Sequence, residues 1–168
     1  ADCPVPPFGG TEQYNWSPDG TEIAFTMKDV EKWEESTNSD VYVIAADGTG
    51  ELTNITKDAP GYDNNPVYSP NGKQIAYSSM ERAGFEADRN RILVYNRKRK
   101  TTKEITKGLD QNANGPVWKS DSKSMIFDSE RDGTTQLFEI TLKGSTLVQL
   151  TDGWFNWHYF GELNTDDS

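Results

Sequence analysis

The sequence predicts an all-β protein of four-stranded antiparallel sheets, arranged as the blades of a partial β-propeller. Three observations predict it. The stretch Asn15-Trp16-Ser17-Pro18-Asp19-Gly20-Thr21-Glu22-Ile23-Ala24-Phe25-Thr26 reads as a strand end, a tight turn and a returning strand. It recurs as Val67-Tyr68-Ser69-Pro70-Asn71-Gly72-Lys73-Gln74-Ile75-Ala76-Tyr77-Ser78 and, worn, as Val117-Trp118-Lys119-Ser120-Asp121-Ser122-Lys123-Ser124-Met125-Ile126-Phe127-Asp128. The anchors Trp16, Tyr68 and Trp118 lie 52 and 50 residues apart. Each unit also closes on a related run: Ile55-Thr56-Lys57-Asp58, Ile105-Thr106-Lys107-Gly108 and Leu150-Thr151-Asp152-Gly153. A repeat of this length is one supersecondary unit that buries its faces only against its neighbours, as propeller blades do.

The elements follow in order. Residues 1–13 hold Pro4, Pro6, Pro7, Gly9 and Gly10 and are expected to be an extended opening segment, since proline removes donors and fixes φ. Blade one is expected over 14–58. In Ser17-Pro18-Asp19-Gly20, proline presets the second turn position and glycine accepts the left-handed exit. Ile23 and Phe25 then alternate with Ala24 and Thr26. Asp40–Ala45 is the third strand, and Asp47-Gly48 is hairpin chemistry. Blade two spans 59–108 and blade three 109–153, with 154–168 the start of a fourth blade or a tail. The first turn of blade three has lost both proline and glycine, so a different turn type is expected there. Lys28–Ser39 and Met80–Asn90 are long polar connections between second and third strands, whereas blade three has a short one over Ser129–Thr134.

Propellers have about four to eight blades, so three cannot close a ring. The outermost sheet faces are expected to expose apolar residues such as Ile23, Phe25, Ile126 and Phe127. An uncapped array needs a partner: the remainder of a larger propeller, or a second copy.

The formal charge of −10 opposes nucleic acid or an anionic membrane as partner, because both would repel the chain. The basic run Arg97-Lys98-Arg99-Lys100 is read as a solvated turn. No apolar run approaches the length of a membrane span. Cys3 is the single cysteine, so the compartment is not diagnosed by disulfides, and a mature periplasmic or secreted chain would begin as this one does. Asp19, Asp47 and Asp63 stand beside glycine or asparagine and are read as turn residues. No stretch has calcium-loop spacing, and Cys3 with His158 makes no zinc pattern, so neither metal nor cofactor is expected.

The repeat Trp/Tyr-Ser-Pro-Asp/Asn-Gly-x-x-Ile-Ala-Phe/Tyr, followed by Asp40-Val41-Tyr42-Val43-Ile44 and Ile/Leu-Thr, resembles the propeller repeats of TolB and of the prolyl oligopeptidase family. It is more similar to the dipeptidyl and acylaminoacyl peptidases of that family. Pro6-Pro7-Phe8-Gly9-Gly10, Gly61-Tyr62-Asp63-Asn64-Asn65-Pro66 and the run Ser79–Arg91 resemble its blade-linking segments. The resemblance implies a serine peptidase whose propeller covers an α/β-hydrolase domain and restricts access to peptides. No Gly-x-Ser-x-Gly nucleophile elbow occurs here, and the one histidine, His158, lies in an aromatic run. No catalytic residue carries over, and the chain alone is expected to be inactive.

The resemblance makes Glu81, Arg82, Glu86, Asp88, Arg89 and, more weakly, Trp33 the substrate-contact candidates. Carboxylates facing a catalytic domain can take a peptide's terminal ammonium through charge-assisted hydrogen bonds. The alternative is a local ion-pair network that merely holds the long loop. A TolB-like interaction propeller with no enzymatic domain is the competing function.

Overall fold

In the computed structural model, residues 3–5, 9–30 and 36–158 are described. Among the described residues, twelve strands form three separate four-stranded antiparallel sheets, each with its strands in chain order. Blade one contains β1 (Tyr14–Trp16), β2 (Glu22–Met27), β3 (Asp40–Ala45) and β4 (Thr53–Asn54). Blade two contains β5 (Asp63–Tyr68), β6 (Gln74–Ser79), β7 (Arg91–Asn96) and β8 (Thr101–Glu104). Blade three contains β9 (Asn114–Trp118), β10 (Ser124–Arg131), β11 (Thr134–Thr141) and β12 (Leu147–Gln149). The first strands β1, β5 and β9 neighbour one another, so they form the inner edge of the stack. The opening segment is not wholly extended: Thr11–Gln13 is one 3₁₀ turn, tied back by the Gln13 carboxamide, which accepts from Val5 N–H at 2.6 Å.

Register decides which residues meet. Residues directly opposite across antiparallel strands share a face. In blade one, Tyr14, Phe25 and Tyr42 form one row and Trp16, Ile23 and Ile44 another. These rows lie on the face away from blade two, because Ala24, on the other face, packs with Tyr68 and Ile75 of blade two. The same relation repeats one blade on. Ala76, Ile92, Val94 and Ile105 of blade two pack with Trp118, Met125, Phe127, Phe138 and Ile140 of blade three, which is the principal core. Phe127 is thus fully buried and stacked on Phe138 at 5.9 Å, contrary to the expectation that it is exposed. The stacking order corrects it: odd-numbered β10 residues face blade two, and only Ile126 and its row face outward. Ile23, Phe25 and Ile126 are half-buried.

The repeated blade-end threonine has one job in all three blades. Thr56, Thr106 and Thr151 accept through Oγ1 from the backbone N–H of Val41, Ile92 and Leu137, at 3.0, 3.0 and 2.9 Å. The hydroxyl thereby extends the ladder beyond the last strand pair and fastens the blade end to the third strand. Thr56 and Thr151 donate their own protons to Asp40 and Gln136, which stand at equivalent positions.

The first turns are alike in all three blades, which corrects the expectation for blade three. Gly20, Gly72 and Ser122 each donate to the carbonyl three residues back, at 2.8, 2.8 and 2.9 Å, and each has φ between 58° and 70°. Ser122 occupies the left-handed region without being glycine, and its hydroxyl compensates by accepting from Asn71 N–H of blade two at 3.1 Å. The β10–β11 connection is shorter than the sequence suggested. Pairing continues to Arg131 and Thr134 around Asp132 and Gly133, both at positive φ, the two-residue turn that matches strand twist. The basic run is not simply solvated either. Arg97 pairs with Glu22 of blade one, lies over the Tyr68 ring and donates to Gly72 O at 2.6 Å.

Candidate functional site

The β2–β3, β6–β7 and β10–β11 connections share one end of the stack with the blade-to-blade segments. The two long loops meet there: Gly84 N–H donates to Thr37 Oγ1 at 2.8 Å. Trp33 lies outside the described residues.

Within the 80–90 loop, Asp88 is the organising residue. Its carboxylate accepts from Glu81 N–H at 3.1 Å, from Arg82 N–H at 2.9 Å and from the Arg82 guanidinium at 2.9 Å. Those bonds, above all the one from the Arg82 side chain, hold the Asp88 carboxyl well below the usual carboxylate range. The Arg82 guanidinium also stacks 4.0 Å over Phe85. Arg89 turns the other way, into the blade, pairing with Glu104 at 2.9 Å and donating to Thr106 O. Glu81 is exposed with its carboxylate 3.5 Å from Arg91, and Glu86 is exposed. Arg82, Asp88 and Arg89 are therefore committed to shaping the loop, while Glu81 and Glu86 present carboxylates at its surface.

This predicts a local effect of Asp88→Ala. Trypsin should nick the chain several-fold faster at Arg82 or Arg89, with global stability changed by no more than about 1 kcal/mol, because exposed pairs contribute little to the whole. A large drop in melting temperature without faster nicking would count against this role.

Beneath the loop lies a residue whose sequence context misleads. Asp63 is in β5 and wholly inaccessible, not in a turn. Neither carboxylate oxygen accepts a hydrogen bond. Burial raises its pKa to about 7, and the Asp40 carboxylate adds to the rise. Nearby Ser79 and Thr56 hydroxyls and Arg91 oppose it without reaching hydrogen-bond geometry. Asp63 N–H donates to Ser39 O, as Ala113 N–H does to Asn90 O one blade on. The backbone position thus accepts alanine, and the carboxylate is not a requirement of the repeat. Comparing the two blade-linking runs residue by residue would have flagged it. Asp19 is a true turn residue: its carboxylate accepts from the Ser17 hydroxyl and from Thr21, which lowers its pKa to about 2.

At the far end of blade three, His158 Nδ1 lies 3.3 Å from Asp128 Oδ2. Among the described residues, no group of three or more His, Cys, Asp or Glu side chains is placed to hold a metal, and no helix is long and apolar enough to cross a membrane.

No model of a known protein family matches the chain. It is 36% identical over 165 residues to dipeptidyl-peptidase 5 of Porphyromonas gingivalis, a match covering 97% of this chain and 24% of that protein. Dipeptidyl-peptidase 5 of Aspergillus fumigatus is 34% identical over 150 residues, covering 83% and 21%. A solved TolB-type protein from Agrobacterium tumefaciens superposes with a TM-score of 0.65 at 26% identity, over 84% of this chain and 46% of that one. The chain is a TolB-like propeller segment of a peptidase family. A puromycin-hydrolyzing peptidase of Mycobacterium tuberculosis has the same fold, with a TM-score of 0.62 at 18% identity over 84% of this chain and 23% of that one. The segment spans about a fifth to a quarter of the length of the curated relatives it matches.

Proposed function

We propose that this segment is the non-catalytic propeller part of a serine peptidase of dipeptidyl or acylaminoacyl type. There it gates peptide access and scaffolds an α/β-hydrolase domain. The observation that carries the reading is the match to dipeptidyl-peptidase 5 along 97% of the segment but only 24% of the relative. In this reading the blades run over 14–58, 59–108 and 109–153, and 154–168 is the start of a fourth blade or a tail. Trp157 N–H donates to Thr135 O at 2.8 Å, repeating the bonds that bring Asp63 and Ala113 into their blades. The joined loops around Thr37 and Gly84 form the gate. Glu81 and Glu86 are the groups best placed for a peptide's ammonium. The partner is the rest of the propeller with its hydrolase domain.

The full-length polypeptide should cleave a dipeptidyl chromogenic substrate and lose that activity to a serine-directed phosphonate, while residues 1–168 alone should show no turnover. Hydrolysis by residues 1–168 would overturn the reading, as would a full-length polypeptide without a nucleophile-elbow domain. The latter outcome would favour the second reading, an interaction propeller, which the likeness to the Agrobacterium TolB-type protein supports.

A further inference from the structure

Both long loops hang from one short piece of chain. Ser39 ends the first loop: its carbonyl accepts from Asp63 N–H at 3.0 Å, and its hydroxyl donates to Asp63 O at 2.9 Å. Met80 begins the second loop, and its N–H donates to Tyr62 O at 3.0 Å. A parallel bridge between Ser39 and Tyr62 completes the joint. Gly61 packs so tightly here that a side chain on it would strike the Met80 carbonyl. At the next joint Ala113 N–H donates to Asn90 O at 2.9 Å, the same backbone bond with a methyl group in place of the carboxylate.

The Asp63 side chain is sealed inside this joint, with neither oxygen hydrogen-bonded. Around it lie the Asp40 carboxylate of β3, the Thr56 hydroxyl, the Tyr77 phenol and Ser79 hydroxyl of β6, and the Arg91 guanidinium of β7. Asp40 already accepts from Asn54 and Thr56. Arg91 is drawn aside to Ser79, Glu81 and Glu104. An ionised Asp63 is therefore a buried charge beside a second negative charge, whereas a protonated one carries no such penalty.

We propose that Asp63 is a proton-operated latch, which keeps the feet of both loops closed while protonated and releases them together when its proton passes to water. Hydrating the carboxylate requires residues 62 and 63 to part from Ser39 and Met80, so one ionisation loosens both feet. The closed joint holds the proton more tightly than an open one, because burial raises the pKa to about 7 while a hydrated aspartate titrates near 3.9. Opening thus releases a proton. It becomes easier as pH rises from about 4 to about 7, by at most about tenfold per pH unit, and levels off beyond. This deepens the reading of the loops as a gate, and rests on that reading for what opening does: peptides are admitted more freely at neutral than at acid pH.

The test is amide hydrogen exchange of the full-length polypeptide at pH 5 and pH 8, with each rate divided by the intrinsic rate at that pH. The amides of Asp63 and Met80, which close the two feet, are expected to lose protection about tenfold or more between pH 5 and pH 8. The Ala113 amide, at the joint without a carboxylate, should hold its protection within about twofold. Asp63→Asn should keep the acid level of protection at both pH values. Asp63→Ala, which the Ala113 joint shows the backbone accepts, should likewise lose the pH response. Ala113 losing protection in step with the two feet would mean that the whole molecule loosens, and would overturn the latch. Equal protection of the feet at both pH values would overturn it too, as would a pH response that survives in both variants. Exchange is read without turnover, so a failed peptidase assay and a failed latch are separate results.

Discussion

Asp63→Asn is expected to raise the thermal midpoint at pH 8 and to leave it nearly unchanged at pH 4. Asp63 is wholly buried, with neither oxygen hydrogen-bonded, and burial raises its pKa to about 7. An unfolded aspartate titrates near 3.9, so the folded state binds the proton more tightly than the unfolded state does. Stability therefore falls as pH rises from about 4 to about 7 and is flat beyond. The full difference is about 4 kcal/mol, an upper bound that relaxation reduces. The groups around it are Asp40 on β3, the Thr56 hydroxyl, Ser79 on β6 and Arg91 on β7. Among these groups Arg91 offers the positive charge, and it is engaged with Ser79, Glu81 and Glu104. Removing the charge should yield roughly 5–10 °C at pH 8 for a chain of this size. Melting curves of both proteins at pH 4, 6 and 8 decide the matter. An equal shift at every pH would mean that the carboxylate is not the titrating penalty.

The second large effect comes from one repeat position in two blades. Phe127→Ala should cost about 3–5 kcal/mol, because the ring is fully buried, stacked on Phe138 and surrounded by the principal core. Phe25→Ala removes the same ring from the open face, where Phe25 is half-buried against Tyr42 at 6.0 Å. Its loss should be less than half as large in residues 1–168, since water already reaches one side of the ring. Denaturant titrations of both variants give the comparison. Equal losses would show that the faces of blades one and three are not differently covered.

What is legible in the sequence is whatever is local or periodic. Strand alternation, the Ser-Pro-Asp-Gly turns and the blade-end threonines each depend on a few neighbouring residues, and they repeat in the structure. Burial is not legible in the same way. Phe25 and Phe127 stand at equivalent places in their repeats, and only the order of stacking separates a half-open ring from a closed one. Asp63 is hidden for a related reason. Its neighbours Asn64 and Asn65 suggest a turn, but the bond to Ser39 O draws the residue into β5 and under the loops. The first turn of blade three departs from its expectation because Ser122 is stabilised by Asn71, 51 residues away in sequence. The loop candidates are recognisable as a charged cluster. Their division into loop-shaping and surface-presenting groups follows from side-chain direction, which spacing in a loop does not encode.

The bond from Asn71 N–H to Ser122 Oγ has a consequence for how the molecule comes apart. The turn of blade two is completed by blade three, and Gly72 lies close to Pro18 of blade one. Cohesion thus passes only between nearest neighbours, like dominoes leaning in a row. In residues 1–168 alone, loss of order should begin at the two ends of the row and travel inward. Blade two, supported on both sides, should be the last to exchange its amide hydrogens.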